Sequence, residues 1–299
     1  EDTHASGRAG IVAGEVDEGA PLLAWLRLFS AEARSASVRW QDFTAQAASL
    51  TLEAKRNGKD QFEGDFAARL TGFQHPDLSA SELTLSGQGS ASEDLSTINL
   101  TGEAVANGAT VEADTRRRIL DSIAPAAPFE AHGKALRTGL SAALSDFATG
   151  SGYTFSLANG SDWSLRTTRK LSATAANGAV FALTPHETQP ALNVSGDIID
   201  VAGVLTLHGP GLPTLAADVS DLLVNDEGIR LKAGGFSIDP WTASGLTLGA
   251  HLSELDFDST SGDAHVQALG EIRINGRLFG MDMKNARLFG GLEAISGDA

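Results

Sequence analysis

Seven histidines, 38 carboxylates and a run of three arginines are the residues of this 299-residue chain that could carry acid–base, metal or anion chemistry. The histidines stand at His4, His75, His132, His186, His208, His251 and His265. No two sit four apart with a Glu between them, so a zinc-protease helix is absent. They read as scattered turn and surface residues, and no metal site is expected. Asp256-Phe257-Asp258-Ser259-Thr260-Ser261-Gly262-Asp263 has the acidity of a calcium loop. Its glycine comes one position late and no closing Glu follows, so a solvated hairpin loop is expected. No Gly-x-Ser-x-Gly elbow occurs. Gly133-Lys134 lacks an upstream phosphate loop, and Gly87-Gln88-Gly89 lacks the third glycine of a dinucleotide loop. Paired acids for glycoside hydrolysis could still meet in space. Sugar stacking has little to draw on, since Tyr153 is the one tyrosine and Trp25, Trp40, Trp163 and Trp241 are dispersed. No enzyme and no cofactor are expected. Arg116-Arg117-Arg118 reads either as a solvated helix face or as a contact for anionic headgroups or an acidic partner.

The elements that would position these residues are mostly strands. Five Asn-Gly pairs, at 57–58, 107–108, 159–160, 177–178 and 275–276, lie between runs of alternating apolar and polar residues. Both residue types tolerate the positive φ of a type I′ hairpin turn. The spacing predicts a long antiparallel meander. From 36 to 113 the period is two: Ala48, Leu50, Leu52 and Ala54 share one face, and Ser49, Thr51 and Glu53 the other. Strands are predicted at 6–17, 153–158, 161–167, 170–176, 179–184, 191–198, 201–208, 214–219 and 229–238, with more to about 295. The total is roughly 16–20.

Two stretches depart from that rhythm. Residues 20–33 have helical spacing, with Leu22, Trp25, Leu26 and Phe29 on one face. Residues 114–147 predict two helices, one to about Ala124 and one from Phe129 to Phe147. Pro125 and Pro128 separate them, and Gly150-Ser151-Gly152 follows as a linker. The expected organisation is a β-region over 1–113 with a short helix near 20–33, a helical insertion over 114–150, and a β-region over 151–299 continuing the same elongated domain.

Composition narrows the functional classes. Net charge is −16, a poor match for nucleic acid, where phosphate binding needs clustered Lys and Arg. Cysteine is absent, which removes disulfides and thiolate metal sites. No stretch reaches the length of a membrane-spanning helix. A start at Glu1 and a polar end at Ala299 suggest an internal piece of a longer protein, with any anchor or export signal outside it.

A loose phrase recurs as Leu-Thr-Leu-Ser-Gly at 83–87, Ile-Asn-Leu-Thr-Gly at 98–102, Leu-Asn-Val-Ser-Gly at 192–196 and Leu-Thr-Leu-His-Gly at 205–209. These hairpin-rich Ser/Thr/Gly/Leu strands resemble the AsmA/TamB superfamily of bacterial envelope proteins, the bridge-like lipid transporters. Residues 115–147, a Pro-rich joint before an amphipathic helix inside the strands, are similar to the helical insertion of the YdbH-type branch. The resemblance implies a twisted sheet curled into a hydrophobic half-pipe. It also implies a periplasmic location, inner-membrane anchoring of the parent protein, and a part in moving phospholipid toward the outer membrane.

On this reading the fold is mainly β, with a short amphipathic helical insertion. The partner is phospholipid, with envelope proteins at either end of the parent chain. Membrane contact comes only through parts outside this piece. The groove would be lined by Leu50, Leu52, Leu83, Leu85, Ile98, Leu100, Leu205, Leu207, Leu246, Leu248, Ile272 and Ile274. For each, an ordinary dry core is the competing explanation. The alternative function is a structural or adhesive β-solenoid of the cell surface.

Overall fold

The structure is a computed structural model. It describes residues 6–13, 26–34, 36–40, 43–57, 61–94, 96–121, 123, 129–159, 161–187, 189–196, 198–225, 228–259 and 264–288. The protein is mainly β, with 18 strands and two helices among the described residues. The chain opens with β1 (Ser6–Ala13), β2 (Leu26–Arg34), β3 (Ala36–Trp40) and β4 (Phe43–Asn57). Long strands β5 (Gln61–Gln74), β6 (Leu78–Ser92) and β7 (Ile98–Val111) follow. Helices α1 (Ala113–Asp121) and α2 (Glu130–Ala143) come next, then β8 (Phe147–Ala158) and β9 (Asp162–Thr167). Short strands β10 (Leu171–Ala175), β11 (Val180–Thr184) and β12 (Leu192–Ser195) lead into β13 (Ile198–Gly209) and β14 (Leu212–Asn225). The last four are β15 (Gly228–Ala243), β16 (Leu246–Asp258), β17 (Ala264–Ile274) and β18 (Arg277–Leu288).

The chain forms two compact units. The first is residues 1–112 with 148–168, and the second is 113–147 with 169–299. The chain therefore returns to the first unit after the helices and leaves it again near 168. In the first unit β2 pairs with β1 and β4, and β4, β5, β6 and β7 pair in sequence, all antiparallel. Strand β8 lies against β7, where the Thr101 and Thr154 hydroxyls are 3.5 Å apart, and pairs with β9. In the second unit β10 pairs with β11 and β11 with β13, and the ladder then continues antiparallel to β18.

Three local expectations are corrected. Residues 26–33, expected as helix, are strand β2. Two ladders, to Gly7–Ala13 on one side and to Leu50–Lys55 on the other, pair its backbone. An isolated helix this short is marginal in water, so tertiary pairing decides. The rest of the expected helix, 20–25, lies outside the described residues. Helix α2 stops at Ala143; Phe147 opens β8, and Gly150-Ser151-Gly152 is strand, not linker. A Cβ at Gly150 would sit tightly, 3.3 Å from the Ala104 carbonyl oxygen.

The Asn-Gly pairs divide. Asn275 and Gly276 have φ of 47° and 79° and join β17 to β18, the type I′ pattern. Asn159, at φ 53°, turns β8 into β9. At 177–178 only Gly178 has positive φ, and Asn177 Oδ1 accepts the Ala179 N–H at 3.0 Å. Asn107-Gly108 is not a turn. It lies inside β7, where Gly108 (φ 55°) meets the Ser81 side chain and the Ser81 hydroxyl donates to the Asn107 carbonyl at 2.8 Å. Asn57 ends β4, and 58–60 lie outside the described residues.

Candidate functional site: two apolar sheet faces

Side chains alternate across a strand, so residues paired in register lie in rows across the sheet. In the first unit Leu50, Ala68, Leu85 and Ala104 form one such row. Leu52, Phe66, Gly87 and Gly102 form the next, followed by Ala54, Gly64, Gly89 and Leu100. Leu70, Leu83 and Ala106 make a row at one end, and Arg56, Phe62, Ala91 and Ile98 one at the other. Leu50, Leu52, Leu83, Leu85, Ile98 and Leu100 thus share a single face. The opposite face carries Thr51, Glu53, Asp65, Arg69, Thr84, Gln88, Thr101 and Glu103, all exposed. Shallow relief on the apolar face comes from glycine. A Cβ at Gly87 would overlap the Thr101 carbonyl oxygen and sit 2.6 Å from Gly102 Cα, so neighbouring backbones meet there without side chains between them.

The second unit repeats the arrangement over more strands. Phe181, Leu207, Leu215, Ile238, Ala250, Ile272 and Phe279 form one row across seven strands. Leu192, Val201, Leu222, Leu231, Phe257 and Val266 form another. Leu183, Leu205 and Ala217 lie between them. Trp241, Leu248 and Ile274 head the face, and Leu246 pairs with Ala243 beside them. Leu205, Leu207, Leu246, Leu248, Ile272 and Ile274 therefore also share one face.

None of these twelve residues is buried; each keeps part of its surface open. The buried apolar residues are mainly alanines: Ala45, Ala68, Ala80, Ala109, Ala175, Ala179, Ala182, Ala191, Ala202, Ala217, Ala233 and Ala268. No large side chain is fully buried among the described residues. The larger buried apolar residues are few: Phe62, Tyr153, Leu183, Leu212, Val219 and Leu252.

Helix α2 is what lies against the second unit's face. Leu136, Leu140, Ala143 and Phe147 pack on Ala175, Ala179 and Leu212 together with Leu207. Gly139 is buried there, where a Cβ would come within 2.7 Å of Leu212 Cδ2. At the helix start, the buried His132 ring stands edge-on to Trp241 at 5.0 Å and to Phe129 at 6.2 Å. His132 Nε2 lies 3.2 Å from the Trp241 carbonyl oxygen, which it contacts as donor, while Nδ1 is buried with no partner. Fourteen residues of helix are about 21 Å long. Four inter-strand gaps are about 19 Å. The helix therefore runs along the rim from β15, past β14, to the tip of the β10–β11 hairpin.

Charges mark the edges. Arg56, on the apolar side of the first unit, pairs with Glu93 at 2.6 Å and lies over the Phe62 ring at 5.9 Å. Arg116, Arg117 and Arg118 sit on α1, which buries no residue. Arg117 pairs with Asp114 at 3.4 Å, and Arg118 donates to the Thr115 hydroxyl at 2.8 Å. Among the described residues no three His, Cys, Asp or Glu side chains gather as metal ligands, and no helix is long and apolar enough to cross a membrane. His186 turns to Asp218 at 3.2 Å and to the Val219 carbonyl at 3.3 Å.

Sequence reasoning missed Phe66, Leu70, Leu215, Leu222, Leu231 and Phe257 on these faces. The first two were findable, because β5 keeps the period of β4 and β6. The others lie next to one-residue slips in the ladders, which reset parity. Nothing local marked Trp241 and Leu212 as the seat of α2. No family model and no curated protein matches this chain.

Proposed function

We propose that this chain binds the acyl chains of phospholipid along its apolar sheet faces, as a segment of an AsmA/TamB-like conduit in the bacterial periplasm. The observation that carries the reading is that all twelve predicted lining residues share continuous apolar faces and none is buried. A dry sandwich core hides such leucines.

A 16-carbon tail is worth about 13 kcal/mol of transfer free energy at roughly 0.8 kcal/mol per methylene. Releasing it to water is prohibitive. Sliding it from row to row exchanges one apolar wall for the next, and no polar pocket is required. The role is one of binding and guiding, so no reaction is assigned. The antiparallel ladders give no support to the solenoid alternative, whose coils stack in parallel.

Protein purified from a bacterial host should carry phospholipid, read by extraction and mass spectrometry. A lipid-free preparation that also fails to take up phosphatidylethanolamine from vesicles would reject the reading. Leu100→Asp and Leu205→Asp each place a carboxylate in the apolar rows. Capture should fall at least about tenfold, while circular dichroism stays that of the parent.

A further inference from the structure

We infer that α2 is an exchangeable lip, and that its seat on Leu207, Leu212, Ala175, Ala179 and Trp241 is a second acyl-chain site that opens when the helix lifts; this rests on the lipid reading above. The seat continues the row Phe181–Leu207–Leu215–Ile238, so the surface under the helix and the surface beside it are one face. The occupant is set by that continuity. A chain lying along the row meets the same aliphatic wall on both sides of the rim.

Docking is specific but incomplete. Gly139 against Leu212 fixes the position of the helix, and His132 fixes its start through the Trp241 carbonyl. Yet His132 Nδ1 is buried without a partner, so the seated state carries a polar group that water would satisfy once the helix rises. Leu136 and Leu140, the centre of the helix's apolar stripe, remain partly exposed. At that same start α2 has no side-chain cap from Phe129. Each feature lowers the free energy needed to lift α2 below that needed to open the sheet.

Two measurements test this. In hydrogen exchange, amides of 132–143 should exchange at least about tenfold faster than those of β14 and β15. Exchange of α2 as slow as that of the central strands overturns the lip.

The second test uses the absence of native cysteine. A Cβ at 139 would lie 2.9 Å from Leu212 Cγ. Position 139 therefore faces the Leu212 side chain directly, and Gly139→Cys with Leu212→Cys is the pair chosen to lock the helix, its oxidation checked by thiol titration. With palmitoyl-oleoyl phosphatidylethanolamine vesicles as the probe, the oxidised form should capture less lipid than the same protein after reduction. Equal capture in both forms overturns the second site while leaving the lipid reading intact. Capture in neither form, nor in the parent protein, rejects both.

Discussion

In the first unit the β5–β6 and β6–β7 ladders keep one register from end to end, whereas in the second every ladder from β13 to β18 slips at least once. An unslipped ladder holds alternate residues on one side for its whole length, so β5, β6 and β7 alternate between exposed and partly buried positions almost without interruption. A slip adds a residue, bends the strand and exchanges the faces beyond it. The second unit adds local buried clusters to its rows: Ala217, Val219 and Ala233 in one, and the seat of α2 in the other. Glycine brings the backbones of β6 and β7 together in the first unit, while slips punctuate the ladders of the second. Similar apolar surfaces therefore depend on different residues for stability.

That difference can be broken most severely at a glycine. Gly87→Val should drive β6 from β7 and cost about 3 kcal/mol, since the obstacle is backbone rather than a flexible side chain. Gly280→Ala in the second unit, where a Cβ meets nothing within 4 Å, should change stability by less than about 0.5 kcal/mol. Denaturant midpoints of both variants check this; similar losses would remove the distinction.

Leucine truncation should show the reverse. Leu212→Ala empties a buried seat and should cost about 2–4 kcal/mol. Leu85→Ala, on the partly exposed face of the first unit, should cost about 1 kcal/mol. Thermal unfolding monitored by circular dichroism would rank them, and an equal loss would mean that something covers Leu85.

Ion pairs sharpen the comparison further. Arg56 and Glu93 are mostly buried, with side chains 17% and 11% exposed, whereas Arg230 and Asp221, 2.9 Å apart, are about a third exposed. Arg56→Ala strands a carboxylate and should cost about 2–3 kcal/mol. Arg230→Ala should cost less than about 1 kcal/mol after solvent screening. Urea titration at low and high salt separates the two, since only the second should weaken with salt.

The smallest effects are in pH. Hydrogen bonds from the Ser92 hydroxyl, then the Ser96 amide and hydroxyl, lower the Asp94 pKa from the usual 3.8 to about 2. The turn after β6 is therefore supported above pH 3.8 and loses that support as pH falls through about 2. Burial raises the Tyr153 phenol above 10. Its contribution is present below pH 10 and is lost as pH rises through the shifted value. As the single tyrosine it can be followed by ultraviolet absorbance alone. Carboxyl NMR finding Asp94 at 3.8, or phenol absorbance finding Tyr153 at 10, would contradict these assignments.

Much of the architecture was legible in the chain. Alternation over Leu50–Ala54 and Ile98–Ala104 placed those residues on faces that register then joined. What could not be read came from partners distant in sequence. Leu26–Phe29 has a helix's spacing, but β1 and β4 claim its backbone. Asn107-Gly108 has a turn's composition, but Ser81 holds it within a strand. Phe147 extends a helical stripe, yet its backbone starts β8.

By itself the sequence determined the period of two, several of the turns and which of twelve aliphatics alternate with polar neighbours, because each depends on residues within a few positions. Only the tertiary structure decided which strands meet, where a ladder slips, and that each of those aliphatics keeps part of its surface open. It also decided that α2 rests on Leu212 and Trp241. These outcomes are set by contacts between residues up to about a hundred positions apart, such as His132 with Trp241, and no local pattern records them.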